Sequence, residues 1–290
     1  MKLLKKTLIG LALIFTYAFL FYNLFRYFKE VEKLLFQTSP WFLLFSFVFL
    51  FLCFPINAYG WCKILHLMGI RVNLRDVLKI MGLTIGSKYI PGKIWYAGGK
   101  GLLLKEKGVS PGDSFRSVIF EVLFLILGAM GLSLLLVPYH LFPISVVLYL
   151  GMLIFLFKGG KRFLSRYFNK IYPSFLDFFY TLGIFFGVWF LQSTGFFWLT
   201  KSFYPEINLS LIPQLIGSYS FAWLVGFAVI VMPAGLGVRE ATSYWLLSKF
   251  LPPPVALTLS LATRLWIIIG DTLFAMLIGI LTIAGRRRNR

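Results

Sequence analysis

The chain has 290 residues, 59% of them hydrophobic, 19% aromatic and only 13% charged, and 29 Lys and Arg against 10 Asp and Glu give a formal net charge of +19. A water-soluble single domain, in which about a quarter of the residues are charged, is excluded. The basic excess does not indicate nucleic acid, because the cations sit between apolar runs rather than on a soluble module.

Apolar runs long enough to cross a bilayer, which takes about 20 residues per helix, begin near Thr7, Trp41, Ser114, Leu141, Leu176 and Val255, and they predict six spans. The first, Thr7 to Phe28, follows Lys2, Lys5 and Lys6 as a secretory signal would. Its apolar stretch is too long for one and no small-residue cleavage site follows, so a retained helix is expected. The second carries Pro55, an expected kink, and Cys53 and Cys62, which fall on different turns and are expected to be buried free thiols. His66 and His140 are isolated near span ends, no cluster has metal-ligand spacing, and no cofactor is expected.

Two segments between spans carry helix-breaking elements, Tyr89-Ile90-Pro91-Gly92-Lys93 and Met232-Pro233-Ala234-Gly235-Leu236-Gly237-Val238-Arg239-Glu240. Between spans two and three, Lys63 to Arg116 holds ten Lys and Arg against three acids. Lys158, Lys161, Arg162, Arg166 and Lys170 follow span four, and Arg286, Arg287, Arg288 and Arg290 end the chain. Arg26, Lys29 and Lys33 are balanced by Glu30 and Glu32, and Pro138 to Pro143 and Lys201 to Lys249 are sparsely charged. The positive-inside rule then places both termini in the cytoplasm of a multi-pass cytoplasmic-membrane protein. The basic face would also attract anionic lipid headgroups, at about 1 kcal/mol per cation.

That orientation requires the two broken segments to enter and leave the membrane on the same side. It predicts re-entrant hairpins from about Asp76 to Lys105, dipping from the cytoplasm, and from about Leu211 to Phe250, dipping from outside. Kinked full spans are the alternative. Non-helical backbone at that depth is tolerated only where protein or a wet cavity surrounds it. At an offset of 142 positions Pro91 meets Pro233, Leu104 meets Leu246, Pro111 meets Pro253 and Gly128 meets Gly270. The expected fold is an all-α polytopic membrane protein forming a single transmembrane domain over residues 1–290. Six spans and two re-entrant hairpins would form inverted repeats, half one about 1–140 (hairpin about 76–105) and half two about 141–290 (hairpin about 211–250).

After each break a helix is expected to restart, near Lys93 and near Val238, and helix starts bind phosphate through backbone N–H groups. Lys93 and Arg239 would add full charge beside the tips, and glycines such as Gly235 and Gly237 permit close approach. The bland alternative is that Pro91, Gly92 and Pro233 merely shape turns while the cations snorkel to headgroups. Ionisable residues inside spans are costly without a partner. Spacing pairs Arg264 with Glu240, and Glu121 with Lys100 or Lys93, as either structural ties or gates. Asp271, two turns after Arg264, is a second candidate partner or a coupling group. Arg239 is left for ligand.

Trp41, Trp61, Trp95, Tyr139, Trp198, Tyr204 and Trp245 are expected mostly at the interfaces. Asn57, Gln192 and Thr194 are expected to bond between helices, and Arg162 to Tyr172 to form an inner-surface helix.

The stretch Ser87-Lys88-Tyr89-Ile90-Pro91-Gly92-Lys93-Ile94-Trp95, with Gly98-Gly99-Lys100, Gly108-Val109-Ser110 and Glu121, resembles the first motif of the lysylphosphatidylglycerol synthase transmembrane-region family, also described as flippase-like membrane proteins. Met232 to Ala241, followed by Arg264, resembles its second. Lys100 stands where arginine is expected in the family, and lysine lacks the bidentate fork. The resemblance covers nearly the whole chain and implies movement of a lipid, usually with a charged headgroup, between leaflets. Larger family members add a soluble aminoacyl-transferring domain; with the sequence ending at Arg290, that activity is expected to be absent.

The leading expectation is thus a flippase or scramblase-like transporter for a phosphate-bearing lipid: anionic, aminoacylated or polyprenyl-phosphate-linked. Its headgroup ligands would be Lys93, Lys100, Arg239, Gly235 and Gly237. The alternatives are a membrane-embedded lipid-modifying enzyme, such as a polyprenyl-phosphate glycosyltransferase or lipid phosphatase, or an accessory subunit of one. Expected partners are anionic membrane lipids, a second copy of the chain, and a separately encoded synthase or glycosyltransferase.

Overall fold

A computed structural model describes residues 22, 25–89, 94–167, 174–229 and 235–288. Among them the chain forms α-helices and short 3-10 turns, with no strand. In order these are α1 (Phe28–Phe36), α2 (Pro40–Leu67), α3 (Leu74–Thr84) running into a 3-10 turn (Ile85–Tyr89), α4 (Ile94–Lys105), α5 (Pro111–Ser133), α6 (Phe142–Tyr167), α7 (Phe175–Phe203), α8 (Ile212–Ala228), α9 (Val238–Leu247) and α10 (Pro253–Arg288).

Among the described residues six helical stretches are long and apolar enough to cross a membrane: Pro40–Leu67, Pro111–Leu136, Phe142–Gly159, Phe175–Phe203, Leu209–Ala228 and Pro253–Ala284. The chain is therefore an all-α polytopic membrane protein. Five of these match the apolar runs read from the sequence. The first run, Thr7 to Phe28, lies almost wholly outside the described residues, and Leu209–Ala228, read above as half a hairpin, is the sixth.

Local chemistry explains where the helices begin. Ser110 caps α5 by accepting from the Asp113 N–H at 3.1 Å, and Ser174 caps α7 by accepting from the Asp177 N–H at 3.1 Å. Each pairs an N-cap hydroxyl with an acid in the first turn, satisfying a donor that the helix leaves orphaned. Pro40 and Pro111 open α2 and α5, where a missing N–H costs nothing. Helix α2 continues through Pro55 without a break. Residues 162–167 continue α6, which runs through Gly159 and Gly160, rather than starting a separate surface helix; 168–172 lie outside the described residues.

The most extensive contact joins α2 to α7. Around that pair, α5 packs on α7 and α8, and α10 packs on α2 and α3. Helix α4 lies against α5, and α9 against α10. Gly128 lets α5 approach α7, where a Cβ would come within 3.2 Å of the Phe185 carbonyl oxygen. Gly270 does the same for α10 on α2, where a Cβ would meet the Leu50 side chain at 2.3 Å. Stacked rings accompany both contacts, Phe124 with Phe185 and Phe54 with Phe274. Large apolar side chains such as Val147, Leu148 and Phe155 on α6 remain exposed, as a lipid-facing helix requires.

Cys53 and Cys62 are buried free thiols. Thr194 donates to the Phe190 carbonyl of its own helix, not to a neighbour, because a threonine in a helix reaches the carbonyl one turn back. Trp41, Trp95, Tyr139 and Trp245 are exposed, whereas Trp61 is wholly buried and does not belong to an interfacial belt.

Candidate functional site

The buried charges gather where the short helices meet the long ones. Lys100, on α4, places its ammonium 2.8 and 2.5 Å from the two carboxylate oxygens of Glu121 on α5, and these side chains are 0% and 1% exposed. Their surroundings explain how charges survive there. The Lys100 Nζ lies 4.0 Å from the Trp61 ring centroid and 4.4 Å from that of Tyr96, so aromatic faces replace water around the cation. Trp61 is fixed by its indole N–H, which donates to Ser117 Oγ at 3.2 Å.

A second pair ties α9 to α10. Arg264 Nη1 is 3.8 Å from Glu240 Oε1, close enough for charge attraction but too far for a hydrogen bond. Among the described residues neither Glu240 oxygen has a hydrogen-bond partner, nor does Nη2 of Arg239. The Arg239 guanidinium instead lies 5.1 Å from the Tyr219 ring centroid of α8. Beside these groups is a small pocket whose polar lining includes Tyr219, Arg239, Glu240, Ser243, Thr263 and Arg264.

Two left-handed glycines build this corner. Gly235 has φ +72° and Gly237, the residue before α9, has φ +78°, conformations that a side chain makes costly. A Cβ on Gly235 would also stand 2.9 Å from the Gly226 backbone, so the chain folds tightly back onto the end of α8. Arg239 packs beside Gly226 as well. Helix α9 starts with no side-chain cap, leaving the N–H groups of its first turn without one.

The third junction joins the first motif to the last helix. Lys88 Nζ is 2.6 Å from Asp271 Oδ2, and the Tyr89 hydroxyl donates to that same oxygen. Arg264 also approaches Tyr89, its guanidinium carbon 5.6 Å from the ring centroid. Asp271 is thus engaged by Lys88 and Tyr89, not placed simply as a second partner of Arg264; α3 lies on α10 and brings the 3-10 turn to it.

Of the residues singled out in the sequence, Pro91, Gly92, Lys93 and Pro233 lie outside the described residues. Lys100 and Glu121 come together, as do Glu240 and Arg264. Gly235 and Arg239 both pack on Gly226, and Arg239 lines the pocket; Gly237 directly precedes α9. Sequence reading missed Trp61, Tyr96, Lys88 and Tyr219 as members. The small polar run Ser218-Tyr219-Ser220 in an apolar helix was a usable signal for the last.

A bundle of long apolar helices, with ionisable groups buried at the junctions of short broken helices, defines a polytopic membrane protein organised around intramembrane charge. Residues 7–275 match the family described as the lysylphosphatidylglycerol synthase TM region, and the chain belongs to that family. No curated protein matches the chain.

Proposed function

We propose that this lipid-handling, flippase-like membrane protein moves a phosphate-bearing lipid between leaflets, the headgroup passing through the polar corner at α8, α9 and α10 while the acyl chains stay in the bilayer. The observation that carries this is the Arg239 guanidinium, with one nitrogen unpartnered among the described residues, at a cavity beside an uncapped helix start. Fork-shaped donors and helix starts are the groups that recognise phosphate. Gly235 and Gly237 admit the ligand to the backbone, and Lys93 supplies a further cation. Lys100 reaches a headgroup only when Glu121 releases it. The loosely held Glu240 suits a headgroup that carries an amine as well, as an aminoacylated lipid does.

The architecture proposed for this transport is the inverted repeat, with halves of about 1–140 and 141–290. Its support is a correspondence of contacts. If α2, α3, α4 and α5 correspond to α7, α8, α9 and α10, then α5 on α8 answers α10 on α3, and α4 on α5 answers α9 on α10. Gly128 against α7 likewise answers Gly270 against α2. Re-entrance is supported by length: α3, α4 and α9 have 11, 12 and 10 residues, roughly 15–18 Å each, against a hydrocarbon core of about 30 Å. Both termini then face the cytoplasm. A family described by a synthase also suggests a separately encoded lipid-modifying enzyme as partner.

Reconstitution in liposomes tests this reading. Acyl-labelled phosphatidylglycerol should become accessible to an external, membrane-impermeant quencher faster than in empty liposomes. No protein-dependent transfer of any anionic lipid would sink it.

A further inference from the structure

The geometry points to Lys88 as an exchangeable ligand for a lipid phosphate, with Asp271 as the built-in counter-ion that the phosphate displaces. This deepens the transport reading above, on which it rests, by adding a binding station outside the Arg239 cavity.

The buried ion pairs differ in how freely each partner can leave. Lys100 and Glu121 are both sealed, at 0% and 1% exposure, so neither can leave without stranding a buried charge. Lys88 and Asp271 are unequal: the carboxylate side chain is 5% exposed and the lysine side chain 33%. The cation is the partner with room to move. When it leaves, the Tyr89 hydroxyl still donates to the same Asp271 oxygen, so the acid keeps a hydrogen bond. The Arg264 guanidinium also remains on the Tyr89 ring.

A phosphodiester carries the same single negative charge as a carboxylate and accepts an ammonium hydrogen bond at a similar distance. For Lys88 the exchange is therefore one anion for another. Position favours it too. Lys88 immediately precedes Tyr89 and the Pro91-Gly92 break, and Arg264 both faces Tyr89 and lines the cavity. The station and the cavity are thus one tyrosine side chain apart. A headgroup passed between Lys88 and Arg239 would remain in contact with a cation throughout, and an empty Lys88 would return to Asp271.

The test uses the full chain in phosphatidylcholine vesicles containing increasing fractions of acyl-labelled phosphatidylglycerol, reading the half-saturating fraction for transfer. Asp271→Asn frees Lys88 and should lower it by about two- to fivefold, the scale of a partly exposed ion pair. Lys88→Gln should raise it by a similar factor, and in that background Asp271→Asn should have no effect. Tyr89→Phe, which leaves Asp271 more dependent on Lys88, should raise it. An unchanged value in Asp271→Asn, or an equal fall without Lys88, overturns the proposal.

Labelling of Lys88 by an amine-reactive reagent provides a readout independent of transport. Phosphatidylglycerol should protect Lys88 relative to pure phosphatidylcholine, and equal labelling contradicts the station. If the wild-type chain transfers nothing yet Lys88 is protected, transport fails while the binding station stands. Should Asp271→Asn fail to fold, wild-type labelling and Tyr89→Phe decide the matter.

Discussion

Lys100 donates to both carboxylate oxygens of Glu121, at 2.8 and 2.5 Å, in a site closed to solvent. Arg264 and Glu240 join the other short helix to the other long one, but at 3.8 Å and beside a cavity. The same kind of junction thus occurs twice with the signs exchanged between helices. One is closely hydrogen-bonded and the other loosely held. The sealed pair has the geometry of a strut that fixes α4 to α5, whereas in the looser pair the Glu240 oxygens have no hydrogen-bond partner among the described residues.

The strut predicts strong coupling. Removing one partner, by Lys100→Met or Glu121→Leu, should destabilise the fold by about 3–5 kcal/mol, because the charge left behind is buried and unpaired. The double variant should recover most of that loss, since no stranded charge remains. Thermal unfolding in detergent of the wild type, both single variants and the double variant measures the coupling. Additive losses would show that the pair is not a strut.

The two glycine contacts should respond unequally to alanine. In Gly128→Ala the new methyl meets the Phe185 backbone as well as Trp189, and a helix backbone cannot move aside alone. Loss of about 1–3 kcal/mol is expected. In Gly270→Ala the obstacle is the Leu50 side chain, whose end can rotate. Alanine gains up to about 1 kcal/mol of helix propensity at both sites, so the difference in obstacle alone should make the net loss smaller at Gly270. Unfolding midpoints compare them directly, and a larger loss for Gly270→Ala would contradict the packing described.

Topology is checked with single cysteines in a background lacking Cys53 and Cys62. Cysteines at Gly108 and Lys249 should react with an impermeant thiol reagent from opposite sides of the membrane. Gly108 should be cytoplasmic and Lys249 external. Labelling of both from one side would rule out hairpins that enter from opposite faces.

Much of the fold was legible because a bilayer leaves a simple imprint. Five long helices follow from uninterrupted apolar runs, and the restart of α9 at Val238 follows from the glycines before it. The Lys100 and Glu121 pair could be foreseen because intramembrane charges need partners and few are within reach. The junction of Lys88 and Tyr89 with Asp271 was not legible, since Tyr89 and Asp271 are 182 positions apart and only the packing of α3 on α10 unites them. Trp61 was read as interfacial because a tryptophan near a span end usually is. Its actual role, facing the Lys100 ammonium, depends on a helix that follows it in sequence. Leu209–Ala228 was read as half a hairpin, although its length and composition alone would suffice to cross.

The proposed role of Arg239, to receive the headgroup of a lipid moved between leaflets, is open to a single comparison. Wild-type protein, Arg239→Ala and empty liposomes are assayed side by side for quencher access to acyl-labelled phosphatidylglycerol, with unfolding midpoints recorded for both proteins. The wild type should transfer the lipid, and Arg239→Ala, with a midpoint close to wild type, should fall by about tenfold or more, the scale of a lost charge-assisted hydrogen bond. A folded Arg239→Ala protein transferring at the wild-type rate, or a wild type no faster than empty liposomes, would contradict it.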